Sequence, residues 1–178
     1  MNYRVEQNVM VAMRDGVALA TDVWIPDGPP SPTLLVRVPY GKSSMFVLSL
    51  AVNPDIFALL DAGYVVVRQD CRGTSASEGE FIPMASEHED GVDTIEWVRQ
   101  QPWSDGVVGM YGASYLGFTQ LALASQKPQG IRAIAPAVTD PDMYSALAFS
   151  RRHPDLAQRS VLGHVHGYFG SSAGLGGR

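Results

Sequence analysis

The stretch that decides the fold runs from Val107 to Gly117 and reads Val-Val-Gly-Met-Tyr-Gly-Ala-Ser-Tyr-Leu-Gly. Its first five residues predict a short buried strand, and the largely apolar run from Tyr115 to Ser125 predicts a helix. Ser114 stands between the two, and Gly112 supplies the freedom for a tight turn just before it. A serine in this position is typical of a nucleophile elbow, in which the turn exposes the hydroxyl at the carboxyl edge of a sheet. The helix N-terminus would then favour negative charge that develops beside that hydroxyl.

The spacing around this serine departs from the usual Gly-x-Ser-x-Gly. Leu116 occupies the second position after Ser114, and the glycine comes one residue later, at Gly117. Ser172, in a glycine-rich stretch near the end of the chain, matches the usual spacing better. No buried strand precedes Ser172 and no helical pattern follows it, so we favour Ser114 as the nucleophile. The alternative for Ser114 is the inert role of a helix N-cap.

Outward from this motif, residues 1–150 predict an antiparallel hairpin followed by strands that alternate with helices. Asp15-Gly16 between two apolar runs favours the hairpin, because its turn needs a positive φ. The alternation that follows indicates an α/β fold with parallel central strands. The predicted strands are Val9–Met13, Val17–Trp24, Thr33–Val38, Tyr64–Val67, Val107–Tyr111 and Ile131–Ala135, and the predicted helices are Pro54–Ala62, Ser86–Gln100 and Tyr115–Ser125.

Composition and charge exclude several classes of protein. Of the 178 residues 46% are apolar, and 18 acidic against 13 basic side chains give a net charge of −5, so the basic footprint of a nucleic-acid-binding protein is absent. The single cysteine, Cys71, excludes a disulfide framework and a multi-cysteine zinc site, and we interpret it as a packing residue. No apolar run approaches the roughly 18 residues of a membrane span, and the N-terminus lacks the apolar core of a secretory signal. We expect a cytoplasmic protein that uses no cofactor.

Gly41-Lys42-Ser43 follows a buried strand and matches the second half of a phosphate-binding loop. The first half of a phosphate-binding loop requires a glycine where this chain has Val36. Pro39, in the middle of the same loop, has no backbone N–H to donate to a phosphate. Nucleotide binding is therefore a minor alternative, which an unchanged melting temperature with ATP and magnesium would dismiss.

The charge of the chain changes sign near residue 150. Residues 1–150 carry a net charge of −8 and residues 151–178 a net charge of +3, and the second stretch holds six of the 18 glycines. No strand or helix period is long enough there to indicate an element. We predict a boundary at residue 150 and an irregular or disordered tail over 151–178.

Five segments together resemble the α/β-hydrolase family that contains cocaine esterase, the Xaa-Pro dipeptidyl-peptidases and the α-amino-acid ester hydrolases. The family pattern Gly-x-Ser-Tyr-x-Gly accounts for the displaced Gly117, and order and spacing agree over roughly residues 5–148. The resemblance is greatest to the bacterial acyl esterases. The matching segments are Met13–Ala20, Leu34–Tyr40, Gln69–Gly73, Ser75–Phe81 and Gly109–Gly117.

The resemblance implies roles for three residues in the hydrolysis of a small ester or amide. Ser114 would be the acylated nucleophile, and the Tyr40 hydroxyl and the Tyr115 backbone N–H would donate hydrogen bonds to the oxyanion. Such an intermediate needs two preorganised donors, each contributing on the order of 3 kcal/mol. Asp70 and Arg72 follow a strand beside the same crevice, and we interpret them as a structural ion pair or hydrogen-bonded loop rather than as part of an acyl pocket.

The same resemblance implies that this chain is the N-terminal part of an α/β-hydrolase, truncated before the cap and later strands. The family's triad acid and base lie well over 100 residues after the serine, so we do not assign them to Asp140, Asp142 or to His153, His164 and His166. We therefore expect the fragment to be inactive and, with an unpaired sheet edge, poorly soluble. Acyl esterase, Xaa-Pro peptidase and non-catalytic fragment stay open, as does the oligomeric state.

The tail carries a hypothesis about its origin. Read one base later, the codons of residues 151–155 can encode Gly-Gly-Ile-Arg, which resembles the start of the family's cap better than the stated residues do. We hypothesise a frameshift or truncation, which the nucleotide sequence of the gene decides.

Overall fold

A computed structural model describes residues 2–44 and 54–140. The predicted order of an antiparallel hairpin followed by alternating helices and strands is confirmed. The strands are β1 (Tyr3–Ala12), β2 (Ala18–Pro26), β3 (Ser31–Val38), β4 (Val65–Asp70), β5 (Ser104–Ala113) and β6 (Ile131–Ala137), and the helices are α1 (Ile56–Asp61), α2 (Glu87–Arg99) and α3 (Tyr115–Ser125).

The N-terminal hairpin forms because Gly16 adopts the left-handed backbone that its turn requires, with φ of 87°. The Met13 N–H donates to the Val17 carbonyl at 2.8 Å and closes the turn. β1 is longer than the predicted strand, since its pairing with β2 continues as far as Tyr3 opposite Pro26. The additional residues are mostly exposed and polar, so hydrophobic periodicity does not reveal them.

The sheet has the strand order β1-β2-β4-β3-β5-β6. β2 runs antiparallel to β4, whereas β3 pairs in parallel with β4 and with β5, and β5 pairs in parallel with β6. The carboxyl ends of β3, β4, β5 and β6 therefore meet at one edge of the sheet. In open α/β sheets this edge is where ligands bind.

The core lies on both faces of the sheet because alternate residues of β3 point to opposite sides. Leu35 belongs to the larger apolar cluster, to which α2 contributes Ile95 and Val98. Val36 belongs to a second cluster with Tyr111 and others. Both faces of the central strands are thus covered, which explains why these strands read as continuous apolar runs.

Among the described residues no helix is long and apolar enough to cross a membrane. The predicted boundary at residue 150 and the predicted tail over 151–178 lie outside the described ranges, as do Ser172 and the histidines of the tail.

Candidate active site

The turn at Ser114 has the backbone geometry of a nucleophile elbow. Ser114 has φ of 57° and ψ of −122°, which is a rare conformation for a residue with a side chain. It separates the last residue of β5, Ala113, from the first residue of α3, Tyr115, and its side chain is exposed. Its N–H donates to the Ala137 carbonyl of β6 at 2.9 Å, which anchors the turn. Strain of about 1–3 kcal/mol at such a residue persists only where the surroundings enforce it.

Two glycines make this turn possible by allowing close contact. A Cβ atom at Gly112 would lie 2.6 Å from the Cβ of Leu116, and the Gly112 φ of 131° also disfavours a side chain. A Cβ atom at Gly117 would lie 2.7 Å from Cγ2 of Thr139. Gly112 therefore lets the chain fold back on the first turn of α3, while Gly117 lets α3 approach the end of β6. The displaced second glycine of the motif has a packing role.

Tyr40 lies two residues beyond the end of β3, and its side chain is hydrogen-bonded to that of Ser114. Burial raises the pKa of the Tyr40 phenol above its ordinary value near 10, and the hydrogen bond with Ser114 acts in the opposite direction. The phenol is therefore protonated at neutral pH and has a proton to donate. The structure brings Tyr40 and Ser114 together although 73 residues lie between them in the sequence.

The backbone N–H and the side chain of Tyr115 have separate roles. Its N–H is in the first turn of α3, where amide groups have no partner within the helix. Its hydroxyl donates to the Glu87 carboxylate at 2.9 Å and accepts from the Met84 N–H at 2.9 Å. The ring packs edge-on against Phe118. The side chain thus anchors the elbow to α2, while the backbone N–H lies beside the serine.

Ion pairs, most of them buried, join β3, the end of β4 and α2. Arg37 of β3 is fully buried and donates to Glu87 Oε2 at 2.7 Å. Arg72 donates to Asp90 at 2.6 Å and to Asp15 at 2.7 Å. Asp70 pairs instead with Lys42 at 3.1 Å. The prediction of structural ion pairs for Asp70 and Arg72 is confirmed, but the two residues pair with different partners and not with each other.

Cys71 has the buried environment of a packing residue, and Lys42 is not placed to bind a phosphate. Burial raises the pKa of the Cys71 thiol well above its ordinary value, so it is not a thiolate at neutral pH. The Lys42 side chain is 5% exposed and engaged with carboxylates, so it offers no free ammonium to a phosphate. The nucleotide-binding alternative therefore has no support in this geometry.

Comparison with known proteins identifies the family. A family model described as X-Pro dipeptidyl-peptidase (S15 family) matches residues 15–162. The chain belongs to this family. It is 49% identical to cocaine esterase from Rhodococcus over 146 residues, which are 82% of this chain and 25% of that protein. The chain spans about a quarter of the length of the curated relatives it matches.

Solved structures of similar hydrolases have the same architecture. A CocE/NonD family hydrolase from Staphylococcus aureus superposes with a TM-score of 0.76 at 30% identity, over 84% of this chain and 30% of that one. An α-amino acid ester hydrolase superposes with a TM-score of 0.66 at 32% identity, over 78% of this chain and 25% of that one. The α/β-hydrolase fold and the resemblance predicted from sequence are confirmed, and the family is one of hydrolases.

The acid and base of a triad are not assigned by the described residues. Asp142, His153, His164 and His166 lie outside them. His88 is the one histidine within residues 2–44 and 54–140, and its ring lies edge-on to Phe118 with centroids 6.5 Å apart. Within those ranges no group of three or more histidine, cysteine, aspartate or glutamate residues is placed to hold a metal ion.

Sequence reasoning did not find the role of Lys42. Its position in a Gly-Lys-Ser triplet suggested phosphate binding, whereas the ammonium lies 2.7 Å from the Asn8 side-chain oxygen and 3.1 Å from Asp70. No local pattern signals these contacts, because Asn8, Lys42 and Asp70 are far apart in the sequence.

Proposed function

We propose that this chain carries the nucleophile and the oxyanion donors of a serine hydrolase that cleaves carboxylic esters through an acyl-enzyme. The observation that carries the proposal is the left-handed backbone of Ser114, exposed between β5 and α3 and hydrogen-bonded to Tyr40. A helix N-cap needs no such strain, since a capping serine ordinarily has extended backbone. Here the Ser114 side chain makes no capping hydrogen bond.

The proposed chemistry follows from these positions. The Ser114 Oγ attacks the substrate carbonyl carbon, and its proton passes to a general base. The carbonyl oxygen becomes an oxyanion, which accepts hydrogen bonds from the Tyr40 hydroxyl and the Tyr115 N–H. Collapse of this intermediate expels the alcohol, which takes up the proton, and leaves an ester on Ser114. Water then attacks that ester, and Ser114 regains its proton as the carboxylic acid departs.

The general base of this reaction is the part that the described residues do not supply. A free serine hydroxyl is a weak nucleophile at neutral pH and needs a neighbouring base. By analogy with α/β-hydrolases we propose a histidine oriented by a carboxylate, in the chain order serine, acid, histidine. The activity of the whole protein is part of the same proposal, because the chain spans a quarter of its relatives.

A fluorophosphonate probe tests the activated serine directly, since it forms a covalent bond only with a nucleophilic hydroxyl. An activated Ser114 gives labelling that is lost in Ser114→Ala and is unchanged in Ser172→Ala, the matched control at the other glycine-flanked serine, whereas the inactive fragment expected from the sequence gives none. Tyr40→Phe removes one oxyanion donor and should lower the labelling rate by about 10²–10³. Equal labelling of Ser114→Ala and wild type would refute the assignment.

The non-catalytic fragment is the competing hypothesis, and the same probe separates the two. Wild-type chain that melts cooperatively but does not react shows that no base reaches Ser114. Turnover of a short-chain p-nitrophenyl ester that depends on Ser114 establishes the hydrolase.

Ester hydrolysis is preferred to Xaa-Pro peptide hydrolysis because the relative at 49% identity is an esterase. Peptide hydrolysis remains the second candidate, since the matching family model is named for X-Pro dipeptidyl-peptidases. Parallel assays with a p-nitrophenyl ester and an Xaa-Pro p-nitroanilide rank the two by kcat/KM.

A further inference from the structure

The loop that carries Tyr40 is held by a lysine that is almost completely buried. The Lys42 Nζ lies 2.7 Å from Asn8 Oδ1, 3.1 Å from Asp70 Oδ2 and 3.6 Å from Asp22 Oδ1. The Lys42 backbone N–H donates to the other Asp70 oxygen at 2.6 Å. One carboxylate therefore binds both the main chain and the side chain of the same residue. We call Asn8, Lys42 and Asp70 the lysine clamp.

The first member of the clamp depends on an irregularity in the edge hairpin. The register between β1 and β2 shifts between Glu6 and Val9, and within this bulge Asn8 has φ of 52°. Asparagine tolerates this backbone better than most residues. The Asn8 N–H donates to Asp22 Oδ1 at 2.8 Å, and the Asn8 side-chain oxygen accepts from Lys42. Bulges commonly re-aim a side chain near functional sites, and this one directs an amide oxygen toward the loop of Tyr40.

Stabilisation of the fold does not by itself explain the buried cluster of Lys42, Asp22 and Asp70. Lys42, Asp22 and Asp70 have side chains that are 5%, 5% and 0% exposed. Removing charges from water costs free energy, and apolar residues of similar volume often stabilise the folded state as well as a buried ion pair does, or better. What a buried ion cluster supplies is a fixed arrangement of the groups attached to it. The group attached here is the segment between Val38 and Lys42.

Tyr40 lies at the centre of that segment, with a fixed residue on each side. On one side the Val38 carbonyl accepts from the Cys71 N–H at 2.9 Å, just beyond the end of β4. On the other side Lys42 is bound to Asp70 of β4 through its backbone and its ammonium. Gly41, with φ of 86°, makes the turn between them. Both ends of a short segment are thus tied to the same strand end.

We propose that the lysine clamp is a positioning device that holds the Tyr40 hydroxyl beside Ser114, and that Asn8 completes it from the edge hairpin. Lys42, Asp70 and Asn8 act through Tyr40 and do not touch the substrate. The proposal rests on the proposed function in one respect, that Tyr40 serves as an oxyanion donor. The position of Tyr40 itself can be measured without any activity.

The test follows the Tyr40 phenol by NMR in chain labelled with ¹³C at the tyrosine ring, with Tyr40→Phe identifying its signal. Lys42→Met removes the ammonium and keeps most of the stem. Asn8→Gly removes the amide oxygen at an exposed residue and tolerates the left-handed backbone. Asp93→Asn is the matched control, because it breaks the ion pair between Arg14 and Asp93 and leaves the clamp intact.

We expect the wild-type Tyr40 phenol to titrate above the ordinary tyrosine range. In Lys42→Met its titration should move back toward that range, and Asn8→Gly should move it in the same direction by less, while Asp93→Asn leaves it unchanged. In ester hydrolysis, kcat should fall by about tenfold or more in Lys42→Met with little change in KM, because misplacement of a donor by about 1 Å costs up to 10²-fold.

The clamp is refuted if Tyr40 titrates identically in wild type, Lys42→Met and Asn8→Gly, or if Asp93→Asn shifts it as much as they do. Should Lys42→Met not fold, Asn8→Gly decides the question alone, since its side chain is exposed. Wild-type chain that shows the Tyr40 shifts but no serine reactivity contradicts the proposed function and leaves the clamp standing.

Discussion

Replacing Gly117 by alanine tests whether close packing of α3 on β6 holds the elbow. An added Cβ would lie 2.7 Å from Thr139 Cγ2 and 3.2 Å from the Ala137 carbonyl oxygen. The carbon–carbon distance is about 1 Å shorter than an ordinary contact, so helix and strand must separate. Overpacking of this kind costs about 1–3 kcal/mol, and the better helix propensity of alanine offsets about 1 kcal/mol. We expect a net loss of about 0–2 kcal/mol in the free energy of unfolding.

The same separation should lower the reactivity of Ser114, because the hydrogen bond from its N–H to the Ala137 carbonyl spans the same gap. Urea unfolding measures stability, and fluorophosphonate labelling measures reactivity. Gly91→Ala in α2 is the matched control: its added Cβ meets Leu123 Cδ1 at 3.1 Å and Leu123 Cβ at 3.2 Å. These contacts are less severe than those at Gly117, so helix propensity should offset more of the cost and more stability should be retained. If Gly117→Ala is as stable as Gly91→Ala and labels at the wild-type rate, the packing argument is wrong.

Three further predictions concern residues outside the serine turn. Burial raises the pKa of Asp93, but hydrogen bonds from Arg14 outweigh burial and lower it overall. The ionised Asp93 therefore stabilises the folded chain fully above its ordinary pKa near 4, and this contribution is lost as pH falls through the lower pKa of the folded state. Urea midpoints below pH 4 should accordingly drop less in Asp93→Asn than in wild type. Cys71 is fully buried and should resist iodoacetamide at pH 8 until urea unfolds the chain, as mass spectrometry would show; rapid labelling of native chain contradicts this burial. Tyr115→Phe removes one hydrogen-bond donor from the Glu87 carboxylate and should lower the free energy of unfolding in urea by about 1–3 kcal/mol. The backbone N–H of residue 115 is unchanged, so labelling of Ser114 should persist. Loss of labelling in a folded variant would contradict the assignment of a structural role to the Tyr115 hydroxyl.

Local sequence patterns predicted most elements because local physical chemistry determines them. The hairpin at Gly16 follows from the positive φ that its turn needs, and α3 is found at its predicted bounds of Tyr115–Ser125. Strand ends were less predictable. β4 continues through the polar Arg68, Gln69 and Asp70, all of which are buried by neighbouring strands rather than by their own hydrophobicity.

The candidate site was predictable only in part. The strand–turn–helix around Ser114 is local, so the sequence identified it, and the resemblance supplied Tyr40. Lys42 and Asn8 were not found, because an ion pair across several strands leaves no periodic signal along the chain. Gly117 was noticed as a departure from a motif, and only its contact with Thr139 explains it.

The sequence by itself determined the order of helices and strands and the strained serine turn, since apolar periodicity and glycine act within a few residues of the chain. The tertiary structure alone decided which distant side chains meet at the carboxyl edge. Parallel pairing places the end of β3 between the ends of β5 and β4, so that Tyr40 comes beside Ser114 while Asp70 faces Lys42. Such contacts depend on strand order and register, which are properties of the whole sheet.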